Sequence, residues 1–223
     1  GGISSKGPGE KKIEQRRRDL RKRINLLEKQ INDLSQRRMQ NRSKREKNEL
    51  FSATLIGYTC AGKSTLFNKL TKSNVVESTK PFSTLNPTTR RTYISNETEI
   101  LLSDTVGFIT DLPEDLISSF RATLEEINQS DLLIHIVDCS EDNFEEKIMS
   151  VEDTLIRTKL INHKRIIIFN KIDLINSETL NYIKSKYHQP CVSSTKNLGI
   201  NDARLEIEKI IQSTFKKPKV VSL

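Results

Sequence analysis

The chain has little that would lock it covalently or hold it in a membrane. Only three of its 223 residues are cysteine, Cys60, Cys139 and Cys191. They are scattered, with no zinc-type spacing and no pairing framework, which excludes a disulfide-stapled secreted fold and fits a reducing cytosol. No apolar run approaches the ~20 residues needed to cross a bilayer, which excludes a transmembrane helix within this sequence and leaves only weak or peripheral membrane contact. Aromatic residues make up 5% of the chain and none falls between 11 and 49, so that stretch has no ring on which a nucleic-acid base could stack. Proline and glycine are absent from 11–48, so nothing there interrupts a helix. His135 lies inside an apolar strand pattern and reads as structural rather than catalytic.

What is present begins with Gly57-Tyr58-Thr59-Cys60-Ala61-Gly62-Lys63-Ser64, followed by Thr65. This is the Gly-x-x-x-x-Gly-Lys-Ser pattern, between the apolar runs Phe51–Ile56 and Leu66–Leu70. A strand, a glycine loop and a helix start in that order bring backbone N–H groups and a helix N-terminus to a phosphate. Lys63 would reach the β- and γ-phosphates as a catalytic cation, and the Ser64 hydroxyl would hold Mg²⁺. Asp104-Thr105-Val106-Gly107 follows a second apolar run and would serve the metal and the γ-phosphate. Asn170-Lys171-Ile172-Asp173 follows Ile166–Phe169. A carboxylate there accepts from guanine N1–H and N2–H₂, donors that adenine lacks at those positions, so guanine is selected. Ser193-Ser194-Thr195 would present a backbone N–H to guanine O6. Four pieces in this order, each at a strand end, predict a GTPase with GTP and GDP as substrate and product. The alternative is an ATP-binding loop with accidental later matches.

Apolar runs alternate with helical patterns after residue 50. Strands are expected near 51–57, 91–95, 99–103, 131–138, 164–170 and 190–193, and helices near 63–71, 114–128, 142–160, 177–187 and 200–214. That alternation predicts an α/β fold with a mostly parallel sheet covered on both faces and ligand loops at the carboxyl ends of the strands. A switch segment is expected between the two phosphate motifs, with a threonine that binds Mg²⁺ when the γ-phosphate is present. Thr84, Thr88 and Thr89 all qualify by spacing. Phe108 stands where many GTPases place a glutamine to orient the attacking water, which predicts slow intrinsic hydrolysis that a partner or another residue accelerates; the alternative is that this loop supplies the water-orienting group from elsewhere. Arg90, Arg91 and Arg121 are further candidates for transition-state charge, with surface roles favoured.

The formal charge is +8, yet residues 11–47 hold 15 Lys or Arg against 5 Asp or Glu, leaving 48–223 with a net −2. The division expected is a glycine-rich loop at 1–10, a basic helical arm at 11–49, a nucleotide-binding domain at 50–215 and a short basic tail at 216–223. Leu20, Ile24, Leu27, Ile31 and Leu34 form a two-heptad seam suited to a partner helix. Arg16, Arg17, Arg18, Arg21, Lys22, Arg23, Arg37 and Arg38 point to phosphate contacts on a nucleic acid rather than to base readout. A solvated coiled-coil face is the alternative, and anionic lipid a weaker one.

The chain resembles the HflX family of ribosome-associated GTPases, close to the Obg group. The resemblance rests on Gly7-Pro8-Gly9-Glu10, Gly57 to Asn68, Thr84-Leu85-x-Pro87-Thr88-Thr89-Arg90-Arg91, Asp104 to Ile109 and Phe120 to Glu126. It implies a partner in the large ribosomal subunit and its rRNA, a cytoplasmic location and a monomer at full length. The role implied is ribosome splitting, rescue or recycling, with GTP-gated subunit assembly as the alternative. It implies that Thr84 is the Mg²⁺-binding and catalytic threonine and that Phe82, Ser83, Thr84, Leu85 and Asn86 contact the nucleotide. It also implies a longer N-terminal domain whose partner helix would pair the Leu20–Leu34 seam; without it the arm is expected to be loosely held or to self-associate. Cys60 departs from the asparagine common in the family, which in some related GTPases helps hold potassium; a thiol is a poor ligand for so hard a cation.

Overall fold

The computed structural model describes residues 50–72, 88–105, 107, 124 and 127–214. The glycine loop, the basic arm with its seam, most of the helix expected at 114–128, and the 216–223 tail lie outside the described residues. The chain divides after Glu49 into two units, and the described residues all belong to the second, from Leu50 onward.

Five strands form one sheet: β1 (Phe51–Gly57), β2 (Thr88–Tyr93), β3 (Glu99–Asp104), β4 (Leu132–Asp138) and β5 (Arg165–Asn170). Their order is β2-β3-β1-β4-β5, with β2 antiparallel to β3 and every other pair parallel. The central strands carry apolar residues at nearly every position because both of their faces are covered; all seven residues of β4 are buried. On one face Ala53, Leu55, Ile134 and Ile168 pack against Leu66, Phe67 and Leu70 of α1 (Lys63–Thr71) and Ala203, Ile207 and Ile211 of α4 (Ile200–Thr214). On the other, Ile56 and Leu133 pack against Val151 and Leu155 of α2 (Phe144–Arg157). Phe144 and Ile148 of α2 also meet Ile183 of α3 (Ser177–Tyr187) around Phe169 and Val137. The α/β fold expected from the alternation is therefore the one formed.

Two strand expectations need correction. β2 begins at Thr88, three residues before the expected start, because Thr88 pairs with Asp104 and the ladder continues to Tyr93 opposite Glu99. Ile94 then turns, its N–H donating to the Thr98 carbonyl at 2.9 Å. The stretch expected as a sixth strand, 190–193, forms only isolated bridges. Phe169 and Cys191 lie beside each other for two bonds, Phe169 N–H to Pro190 O and Val192 N–H to Phe169 O. The chain then turns back, because Ser193 and Leu198 exchange both backbone bonds. The turn brings Ser194 to the end of β5 instead of extending the sheet.

Candidate functional site

Gly57 ends β1 and Gly62 precedes α1, so residues 58–61 form a loop at the carboxyl edge of the sheet. Gly62 is the N-cap of α1, in a left-handed conformation with φ 89°, and has no side chain to occupy the first turn. A Cβ there would fall 2.2 Å from Asn170 Nδ2, so only glycine fits. The N–H groups of that turn, beginning at Lys63, Ser64 and Thr65, form an anion-binding helix start. The loop is closed by Ala61 N–H donating to Tyr58 O at 3.3 Å. Cys60 is exposed and adopts φ 63°.

Lys63 is only 6% exposed, which is unusual for an ammonium. Its Nζ donates to the Tyr58 carbonyl at 2.8 Å. Burial brings its pKa down to about 8, although the Asp104 carboxylate acts in the opposite direction. A phosphate oxygen offers this cation a charged acceptor in place of a neutral one. Asp104, at the end of β3, is fully buried, and its Oδ2 accepts from Ser64 Oγ at 2.6 Å. Two hard oxygen donors from two separate motifs thus meet at the head of α1, a donor set that suits Mg²⁺. Gly107 approaches the same point. A Cβ on it would lie 2.8 Å from Lys63 Nζ and 2.8 Å from Thr59 Cα. Thr105 is turned away, its hydroxyl donating to Leu55 O at 2.6 Å, so its side chain braces the sheet.

The base-recognition segments converge on the same loop. Asn170 Nδ2 donates to Ala61 O at 2.8 Å, and its Oδ1 accepts from the Ser194 N–H at 3.1 Å and hydroxyl at 2.9 Å. Ile172 N–H donates to Val192 O at 3.2 Å. Asp173 sits exposed in the short 3₁₀ turn Ile172–Leu174. In the Ser193–Lys196 stretch, Ser193 N–H is bound by Leu198, Ser194 N–H by Asn170 and Lys196 N–H by Ser193 Oγ.

Of the remaining candidates, Thr89 shares a 2.8 Å hydroxyl contact with Ser103, while Arg90 and Arg91 are exposed on edge strand β2. Phe82, Ser83, Thr84, Leu85, Asn86, Val106, Phe108, Arg121 and the eight basic residues from Arg16 to Arg38 lie outside the described residues. His135 is buried in β4, where burial, and next the positive charges of Arg165 and Lys63, bring its pKa down to about 3. It is a neutral core residue, as the sequence suggested. Sequence reasoning missed two contacts. Lys147 lies 4.6 Å from the centre of the Tyr58 ring, and Asp138 pairs with Lys171 at 2.5 Å. The second left a trace: Asp138 closes an apolar run at a strand end, as Asp104 and Asn170 do.

A strand–loop–helix phosphate cradle, joined through Asn170 to a base-recognition edge, defines a P-loop GTPase domain. Residues 52–171 match the family described as 50S ribosome-binding GTPase, and residues 1–45 match the GTP-binding GTPase middle region. The whole chain is 41% identical to the GTPase HflX of Caldanaerobacter subterraneus subsp. tengcongensis, over 50% of that protein's length. It is 44% identical to the GTPase HflX of Alkalihalophilus pseudofirmus, over 78% of this chain and 41% of the relative. Among solved structures, the SsGBP–GDP complex aligns with a TM-score of 0.59 at 25% identity, covering 87% of this chain and 62% of that one. The chain belongs to the 50S ribosome-binding GTPase family, in its HflX group. It spans about half the length of the curated relatives it matches.

Proposed function

We propose that the protein binds GTP with Mg²⁺, hydrolyses it to GDP and phosphate, and works on the large ribosomal subunit in splitting, rescue or recycling of ribosomes in the cytoplasm. The observation that carries the nucleotide reading is Asn170, one side chain holding both the phosphate loop and the Ser194 turn. Asp173 takes the guanine N1–H and N2–H₂. The N–H of Thr195, in the turn closed by Ser193 and Leu198, is assigned to guanine O6. The N–H groups at the start of α1 and the Lys63 ammonium hold the β- and γ-phosphates and stabilise charge that develops as water attacks in line. Ser64 and Thr84 hold Mg²⁺, with Asp104 beside Ser64. The metal, when bound, neutralises charge on the phosphate oxygens.

The family match supports the ribosomal partner, and the charge of residues 11–47 supports rRNA phosphate as what the arm meets. Arg16, Arg17, Arg18, Arg21, Lys22, Arg23, Arg37 and Arg38 are assigned to that contact. The test is a pair of measurements, binding of GTP against ATP and subunit splitting with GTP against a non-hydrolysable analogue. Tight GTP binding with splitting in either nucleotide supports the proposal; equal affinity for GTP and ATP contradicts the site assignment, and absence of splitting contradicts the ribosomal role.

A further inference from the structure

The GTP-binding reading leaves one buried carboxylate without a task. Asp138 is the last residue of β4, 6% exposed, and paired in register with Asn170 at the end of β5. Both its oxygens are engaged. Oδ1 accepts from the Ser140 N–H at 3.1 Å and from its hydroxyl at 2.6 Å. Oδ2 takes the Lys171 ammonium at 2.5 Å. Immediately next to it, the Cys139 N–H and thiol both point at the Asn170 carbonyl, at 3.1 and 3.0 Å. The loop after β4 is therefore built to hold the end of β5.

What it holds there is unfavourable by itself. Lys171 has φ 68°, a left-handed conformation that a residue with a Cβ avoids. That reversal swings the chain out of β5 into the 3₁₀ turn that carries Asp173. An ion pair whose carboxylate is buried is weak evidence for stability, since desolvation offsets much of the attraction. Its geometric consequence is better defined: the Lys171 side chain is fixed to the neighbouring strand while its backbone makes the reversal.

We infer that Asp138 is a positioning residue for guanine recognition, holding Lys171 in its left-handed turn so that Asp173 is presented to the base. It rests on the GTP-binding reading proposed above and names a residue outside the sequence motifs. Asp138 acts through Lys171 and need not touch the nucleotide.

The test compares GTP with ITP, which lacks the N2 amino group, by equilibrium binding to the wild-type protein, Asp138→Asn and Lys171→Met. Asparagine keeps an acceptor for Ser140 but turns an amide, which cannot accept, toward the lysine. A misplaced Asp173 loses its second hydrogen bond to guanine, and hypoxanthine has no such bond to lose. The expected result is a fall of about tenfold in the GTP-over-ITP preference for each single variant, with no further fall in the double variant. In Asp138→Asn, which changes no residue of the nucleotide-binding motifs, kcat at saturating GTP should change by less than about threefold while KM rises. A role in folding alone lowers thermal stability but leaves the preference intact, and an unchanged preference in a folded Asp138→Asn protein overturns the inference. Should that variant fail to fold, Lys171→Met probes the same pair from the other side, and an unchanged preference there overturns it equally. A wild-type protein that binds GTP and ITP alike overturns the GTP-binding reading, and this inference with it.

Discussion

Asn170 Nδ2 donates to the carbonyl of Ala61 at 2.8 Å, joining residues 109 positions apart at the junction of phosphate and base recognition. The same carboxamide takes two bonds from Ser194. Replacing Asn170 with alanine removes three hydrogen bonds at a site 2% exposed. At about 1 kcal/mol each, nucleotide affinity should fall on the order of 100-fold, because loop and base segments lose their common anchor. Titration with a fluorescent GTP analogue reads this; a fall under about threefold would mean that the segments are held by other contacts.

Lys63 links nucleotide binding to pH. Its pKa of about 8 lies below the ordinary 10.5, so the unfolded chain holds the proton more tightly than the folded one. The stability contribution is fully present above 10.5 and is lost as pH falls through 8. Nucleotide-free protein should therefore gain stability between about pH 8 and 10.5 relative to Lys63→Met. At about pH 7 the methionine variant should be the more stable, by on the order of 2 kcal/mol, and should bind GTP far more weakly. Wild-type GTP affinity should decline above pH 8 as the ammonium deprotonates. Calorimetric melting and binding across about pH 7–10 check both signs.

His135 supplies a separate acid response. Its buried Nδ1 has no hydrogen-bond partner among the described residues, and its pKa of about 3 lies below the ordinary 6.5. Its contribution is present above 6.5 and is lost as pH falls toward 3, because the unfolded chain protonates first. His135→Leu should stabilise the domain by about 1 kcal/mol at about pH 7 and by more at about pH 5. A leucine variant that loses stability faster than wild type between about pH 6.5 and 4 would contradict this.

Much of this was legible from the sequence. The phosphate loop is a local motif, and β1, β3 and β5 declare themselves as apolar runs ending in Gly57, Asp104 and Asn170. The edge strand was misplaced because Thr88, Thr89, Arg90 and Arg91 carry no apolar alternation; its start is fixed by pairing with β3. The segment 190–193 has strand-like composition, but the Ser193–Leu198 exchange ends it, and that contact has no local signature. The roles of Asn170 as a bridge and Asp138 as a brace arise only when β4, β5 and the loop come together. Pair contacts of this kind are invisible to periodicity.

Gly107→Ala should affect chemistry more than binding. The added methyl meets Lys63 Nζ and Thr59. GDP affinity should stay within about threefold while turnover falls more than about tenfold, since the loop can no longer close on the position of the γ-phosphate. Single-turnover hydrolysis beside GDP titration separates the two effects.

Cys60 is exposed in the phosphate loop and offers a thiol where potassium would need a hard oxygen. Replacing sodium with potassium should change turnover by less than about twofold. A several-fold rise would show that potassium is held without that side chain.

The central claim is a GTPase that the large ribosomal subunit activates. GTP turnover by the protein, with and without purified large subunits at low and high salt, tests it most directly. The account predicts slow turnover alone and a large acceleration by the subunit that weakens as salt rises, because the contact proposed between the basic residues of 11–47 and rRNA phosphate would be electrostatic. Turnover that large subunits leave unchanged at both salt concentrations, from protein that binds GTP, would contradict it.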